Sequence, residues 1–390
     1  RQHSLSISTV QRALLELETR GLILPRPKSG YYVKEQVSQL PLVTNPPVAL
    51  LPKTVKIHAF ASEIFRRCEA EASINLGVSY PAADYFPQKQ LAKVARKVCQ
   101  DNPQAIVDVH FSSGIAPLKR ALTKRLNALG CLNLSEQELI VTNGCLEALS
   151  LCLRAVAKPG DTIAIESPGF VGLFQLIESL GLKALEIPAH PQDGMSLEAL
   201  QLAIEQWPIK AVALVPSFSN PMGSLMPQAN RKRLVALLGE QNIPLIEDDL
   251  LGDLAFDGSR PKPCKAYDKK GLVLYCGSMS KTLASGLRIG WIAAGSYFAE
   301  VASFKTFTHI SAPNLNQMIV AEFLEAGHYD RFLRQLTARL SQQMARFQQA
   351  VEKYFPLGTA ISRPKGGCIL WLELPRSVDG LVLFESALAL

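Results

Sequence analysis

The chain is short of several things, and each shortage closes off a class of chemistry. Its eight cysteines are scattered, with no Cys-x-x-Cys and no cysteine–histidine cluster, and its six histidines form no His-Glu-x-x-His. The usual zinc sites are therefore excluded, and unpaired cysteines in a chain of this size point to a reducing cytoplasm. No Gly-x-x-x-x-Gly-Lys-Ser/Thr loop is present, which removes the P-loop nucleotide enzymes. No run of about 18 apolar residues exists, so no helix is expected to span a membrane, and there is no secretory leader, internal repeat or low-complexity tract. Charged residues make up only 19% of the 390 and hydrophobic ones 48%, the balance of a globular chain with a sizeable core. The formal net charge of +7 permits nucleic acid or small anions without selecting either. The chain opens on Arg1 and stops within the helical "GLVLFESALAL", so it reads as a piece of a longer protein at both ends.

Residues 1–36 have a character of their own. In "SISTVQRALLELETRGLI" Ser8 and Gln11 have capping-box spacing, and Val10, Ala13, Leu14 and Leu17 follow at helical intervals until Gly21. "LILPRPKSGYYV" then gives a short strand, a basic turn and a second strand. A helix followed by a basic-tipped hairpin is the back half of a winged helix-turn-helix. Ser8, Thr9 and Arg12 would enter a major groove, while Arg26 and Lys28 on the wing would meet phosphates or the minor groove. The pattern alone serves equally for a small helix and hairpin that pack on the larger domain. Residues 37–53 carry four prolines and no helical period, and read as a linker.

From residue 54 onward, beginning with the helical "VKIHAFASEIFRRCEAEA", the chain forms a second domain. Short apolar runs ("ELIVTN", "DTIAIES", "AVALVP", "IPLIEDD", "GLVLYCG") alternate with helical stretches such as "CLEALSLCLRAVAK". That alternation predicts an α/β fold with a mostly parallel sheet covered on both faces. Ligands in such sheets sit at the carboxyl ends of the strands, and there the unusual residues fall. Gly144 leads into a helix whose first N–H groups, at Cys145 and Leu146, make a phosphate seat. Phe170 ends a strand and could cover a flat ring or merely pack. Asn220 is fixed by Pro221 and Gly223. Glu247, Asp248 and Asp249 follow an apolar strand, where acids are costly unless paired. "GSMSKTLASGLRIGW" sets Lys281 among small residues, a candidate for a depressed pKa and imine chemistry, with Ser278 and Arg288 able to hold a phosphate. One chemistry uses the whole set. Pyridoxal phosphate needs a lysine, an acid at its ring nitrogen, a stacked aromatic, a donor to the ring oxygen and a phosphate cup.

Two resemblances sharpen this reading. Ser6, Thr9, Val10, Ala13, Leu14, Gly21, Leu22, Ile23, Arg26, Ser29, Gly30 and Val33 match the DNA-binding pattern of the GntR family of bacterial regulators, with Ile7 where arginine is common. Residues from about 70 to 390 resemble the aspartate-aminotransferase type of pyridoxal-phosphate enzyme, through "Asn-Pro-x-Gly", "Asp-Asp" and "Ser-x-x-Lys…Gly-x-Arg-x-Gly" in that order. This implies the three-layer transferase fold type I, preceded by a partial winged helix-turn-helix. It also implies roles: Lys281 carries the cofactor, Asp248 pairs with the pyridinium, Asn220 meets the ring hydroxyl and Phe170 stacks. Gly144, Cys145, Leu146, Ser278 and Arg288 would hold the phosphate, and "LGVSYP" around Gly77 would line the substrate side. A GntR-type head on such a body resembles the MocR subfamily of transcription regulators. That resemblance implies a cytoplasmic, domain-swapped, head-to-tail homodimer that binds an operator in double-stranded DNA and answers to pyridoxal phosphate or an amino compound. A catalytic aminotransferase with an accessory head is the rival. Two positions depart from the family: Leu250 and Leu251 stand where a tyrosine normally follows the ring acid, and Val109, His110 and Phe111 where one normally reaches the partner's phosphate.

Overall fold

In the computed structural model, residues 6–19, 22–26, 29–33, 40–44, 48–68, 74, 76–77, 79–111, 113–129 and 132–389 are described. The head begins with helix α1 (Ile7–Thr19) and a hairpin of β1 (Ile23–Arg26) and β2 (Gly30–Val33), paired antiparallel from Ile23–Val33 to Arg26–Gly30. The helix starts earlier than its capping pattern suggested. Ser6, not Ser8, is the cap: its Oγ accepts from the Thr9 N–H at 3.1 Å, and Ser8 lies inside the first turn. A Ser at either position fits the cap chemistry, but only Ser6 has the outlying backbone. Gly21 and Lys28 lie outside the described residues.

Part of the expected linker is bound rather than loose. Ile361 N–H donates to the Pro41 carbonyl at 3.0 Å, Arg363 to that of Leu40 at 2.9 Å, and Glu373 takes the Thr44 N–H at 2.7 Å. Val43 is buried beside Met222 and Ala360. The short strand β3 (Lys53–Thr54) then joins the edge of the main sheet, across the expected linker–body boundary, and α2 (His58–Cys68) follows.

The body is a three-layer α/β unit. After α3 (Gln88–Asp101) and α4 (Ala116–Ala128), strands and helices alternate: β4 (Leu139–Thr142), α5 (Cys145–Val156), β5 (Thr162–Ser167), α6 (Val171–Ser179), β6 (Lys183–His190), β7 (Gly194–Met195), α7 (Leu197–Gln206), β8 (Ile209–Leu214), α8 (Gln228–Glu240), β9 (Leu245–Asp248), β10 (Val273–Ser278) and β11 (Gly290–Ala293). The sheet order is β3-β6-β5-β8-β9-β10-β11-β4, with β7 against β6. The run from β6 to β10 is parallel; β3, β7 and β11 are antiparallel to their neighbours. Successive residues face opposite layers. Ile163, Ala211 and Ile246 pack under α5 and α6, while Ala164, Val212 and Leu245 pack under α7 and α8. Strands β5, β9 and β10 are buried along their whole length, which is why they read as apolar runs without alternation. Helices α9 (Phe298–His309), α10 (Asn314–Glu325), α11 (His328–Tyr354) and α12 (Gly380–Leu388) and the pair β12 (Ala360–Ile361) and β13 (Leu372–Glu373) complete the described body. This construction brings the carboxyl ends of β4, β5, β8, β9 and β10 to one rim.

Candidate cofactor site

The residues after those strand ends enclose a cavity of about 520 Å³, lined among others by Cys145, Leu146, Phe170, Asn220, Asp248, Lys281 and Arg288. Thus seven of the nine cofactor residues named from sequence meet at one cavity, contributed by five separate strand ends. The other two stand just behind it. Gly144 caps α5 at φ 92°, and a Cβ there would lie 2.4 Å from Arg288 Nη2. Glycine is needed twice over, for the positive φ and for the guanidinium pressed on the helix start. Ser278 donates to the Ile289 carbonyl at 2.9 Å and contacts Ser280 Oγ at 2.9 Å; Ser280 is the serine that lines the cavity. Arg288 donates to Ser280 Oγ at 3.2 Å and to the Asn143 carbonyl at 2.9 Å. It adopts φ 52°, a left-handed backbone that costs energy in a non-glycine residue. The α5 N-terminus, Ser280 and Arg288 therefore converge at one place, where a positive helix end and a guanidinium would suit an anion.

The three consecutive acids do three different things. Glu247 accepts the Cys264 and Lys265 N–H groups at 2.7 and 2.8 Å and ties down a loop. Asp249 is buried against Arg260 at 2.6 Å and Tyr275 OH at 3.0 Å, in a network that continues through Asp253. Asp248 alone faces the cavity. It accepts from Cys145 Sγ at 3.3 Å and from the Leu250 N–H at 3.1 Å. Burial pushes its carboxyl up to about 6, against the pull of those two hydrogen bonds.

Lys281 follows β10 and is only 7% exposed. Its Nζ donates to the Ser79 carbonyl at 2.5 Å and lies 3.1 Å from the centre of the Tyr80 ring. Burial brings its ammonium down to about 8, and the nearby Arg288 charge acts in the same direction. Cys368 Sγ shares the Ser79 carbonyl at 3.5 Å. The fit to pyridoxal phosphate is thus set by charge as well as shape. A buried acid that forms no ion pair among the described residues, an amine of lowered basicity and a cationic guanidinium at a helix start border one cavity, and the cofactor would supply a protonated ring nitrogen, an aldehyde and a phosphate. Phe170 caps α6, its ring set against Gly172, where a Cβ would come within 2.4 Å of Phe170 Cζ. Leu250 and Leu251 both line the cavity. Val109 and Phe111 are exposed, at 59% and 77%.

Gly77, Ser79 and Tyr80 of the "LGVSYP" segment line the cavity too, where the sequence placed that segment; the lining residues that escaped sequence reasoning are Ser280, Ile369 and the face Ile57, Phe60, Ala61 and Ile64 of the segment opening α2. The spacing of the last four was a readable signal, an i, i+3, i+4, i+7 stripe with no obvious partner.

An α/β sheet with a buried lysine, a buried aspartate and a helix start beside an arginine at its strand ends fits a pyridoxal-phosphate transferase of fold type I. Residues 74–389 match the family model "Aminotransferase class I and II". The uncharacterized HTH-type transcriptional regulators YjiR and YdcR of Escherichia coli (strain K12) are 37% and 35% identical to the chain, over 97% and 98% of it and 80% and 82% of their own lengths. Among solved structures, an archaeal alanine:glyoxylate aminotransferase superposes with TM-score 0.80 at 26% identity, covering 85% of this chain and 84% of the other. The kynurenine aminotransferase of Pyrococcus horikoshii, solved in complex with PMP, gives 0.77 at 26% identity over 84% and 82%. The chain belongs to the aminotransferase class I and II family, within its MocR-like branch of HTH-type transcriptional regulators, and its cofactor is pyridoxal phosphate.

Proposed function

We propose that the chain is a GntR-type, DNA-binding transcription regulator whose aminotransferase-like body senses pyridoxal phosphate or an amino compound. The observation that carries this is a continuity. The cavity bearing Lys281 and Asp248 is walled in part by Ile57, Phe60, Ala61 and Ile64, the stretch of chain that leads back through β3 and the bound linker to the head. The cofactor brings an aldehyde that condenses with primary amines and a ring that accepts electrons. The protein's residues do the rest: Lys281 offers an amine partly neutral near pH 8, Asp248 is the group to hold a proton on the ring nitrogen, and Arg288 and the α5 N-terminus orient the phosphate. A ligand bound beside Lys281 would shift DNA affinity by as much as its affinity differs between the two body conformations.

In the head, Ser6, Ser8, Thr9, Arg12 and Arg26 are exposed and supply the DNA contacts. Arg26 stacks 4.5 Å from the centre of the Tyr32 ring, which holds its guanidinium on the wing. The working form is a domain-swapped homodimer in the cytoplasm, on the nucleoid when bound to DNA. Exposed Val107, Phe111 and Phe307, at 77%, 77% and 87%, support a second copy covering these side chains. Footprinting of the DNA upstream of the gene and its neighbours, with and without amino compounds, tests the reading. Protection that changes with ligand is expected; no protection under either condition contradicts it. The retained Lys281–Asp248 pair also favours turnover, so an amino donor and a keto acid form the parallel assay. Sustained keto-acid release at enzyme rates would make the body an aminotransferase first.

A further inference from the structure

We infer that the amino compound taken up beside Lys281 carries an apolar side chain, as in an aliphatic or aromatic amino acid or amine, and not a second carboxylate. The inference rests on the reading just given and adds the chemical class of the ligand. The cavity is polar at one end, where Lys281, Asp248, Asn220, Ser280 and Arg288 gather, and hydrocarbon over much of the rest. Ile57, Phe60, Ala61 and Ile64 form one helical stripe, and all four line it, as do Leu149 on α5 and Val171 on α6. Gln175 adds a neutral amide.

The distribution of positive charge decides the class. Among the described lining residues the cations are Lys281 and Arg288. Lys281 is the amine that reacts. Arg288 is engaged at the phosphate end, by Ser280, Asn143 and its packing on Gly144. The arginines of α2 are paired elsewhere: Arg66 with Glu63 at 2.7 Å and Arg67 with Glu385 at 2.6 Å. A carboxylate brought against the α2 wall would lose its water and find no cation, which is costly. An apolar group there gains at each methylene, about tenfold or more in a well-formed pocket. Because α2 follows directly on β3 and the bound linker, a ligand touching this wall touches the stretch of chain that tethers the head.

The test uses the purified chain loaded with pyridoxal phosphate. Its visible band is titrated with leucine, phenylalanine and isopentylamine, and in parallel with aspartate and glutamate, while melting temperature is read on the same mixtures. The apolar compounds are expected to shift the band and raise the melting temperature at concentrations at least about tenfold lower than the acidic ones. Phe60 is half-exposed, so Phe60→Arg should be tolerated, and should move the ranking toward aspartate and glutamate. Wild-type protein that answers aspartate or glutamate as readily as leucine overturns the inference. An unmoved ranking in a Phe60→Arg variant that melts like wild type removes α2 as the selecting wall and overturns it too. Absence of any visible band after loading is a different failure: it sinks the cofactor reading beneath.

Discussion

Head and body meet water in opposite ways. Helix α1 buries none of its residues, and of β1 and β2 only Ile23 is buried. In the body, Asp248, Asp249, Ser278, Ser280 and Lys281 are all buried, each with internal partners. On the function proposed, the contrast follows from the size of what each part would recognise. A small molecule must be surrounded, so its contacts are fixed in advance by a core whose burial raises the Asp248 pKa and lowers that of Lys281. A duplex is too large to enclose, so its contacts stand on an outward helix and wing and gain energy only when it arrives.

Substitutions can break or sharpen this contrast. The largest effect belongs to Lys281→Ala, which should abolish the visible band of the loaded protein, read by absorbance after desalting. Next is Asp249→Ala. Arg260 and Tyr275 would lose a buried partner while Asp253 still holds the guanidinium at 2.6 Å, so the loss, measurable by urea denaturation, should stay below the cost of a fully broken buried pair, about 3–5 kcal/mol. A comparable change in the head, Arg26→Ala, should alter stability by no more than about 0.5 kcal/mol. Its effect should appear instead in DNA binding, where the slope of log affinity against log salt becomes shallower by about one. A body-like stability loss at Arg26 would erase the distinction between the two parts.

The pH dependence sharpens it from the body side. On this reading the neutral amine of Lys281 would be the form that attaches the cofactor. With its ammonium brought down to about 8, the attachment rate should climb roughly tenfold per pH unit below that value and level off above it. Asp248's charge holds the Lys281 pKa up, so Asp248→Asn should move the plateau to lower pH; stopped-flow absorbance reads both. The smallest effect is expected at the clasp between the two regions. Glu373→Ala removes the carboxylate that takes the Thr44 N–H and hydroxyl. Limited proteolysis within the linker should quicken while the melting temperature of the body stays put.

How much of this was legible beforehand tracks burial and chemistry. The strands β4, β5, β8, β9 and β10 were readable because burial along all or nearly all of each makes it mostly apolar, with only Lys210 of β8 exposed. Strand β11 was not: its four residues hide inside the stretch that also carries the Arg288 motif, and nothing local tells antiparallel from parallel pairing. Lys281, Asp248, Asn220 and Arg288 were readable because polar residues at strand ends are expensive without a use. Ser280 was overshadowed by Ser278, which has the motif spacing but turns its hydroxyl to the Ile289 carbonyl. The α2 wall was missed for the opposite reason. Hydrocarbon side chains announce burial without saying against what, and only the tertiary path of the chain shows that Ile57, Phe60, Ala61 and Ile64 face the cavity.

The most direct test of the account is reductive trapping. The protein is incubated with pyridoxal phosphate, reduced with borohydride and digested, and its peptides are weighed. The added mass of the reduced cofactor should appear on the peptide containing Lys281, and Lys281→Ala should leave no modified peptide. A label on another lysine, or a wild-type protein that takes up no label under saturating cofactor, would contradict the assignment of this cavity.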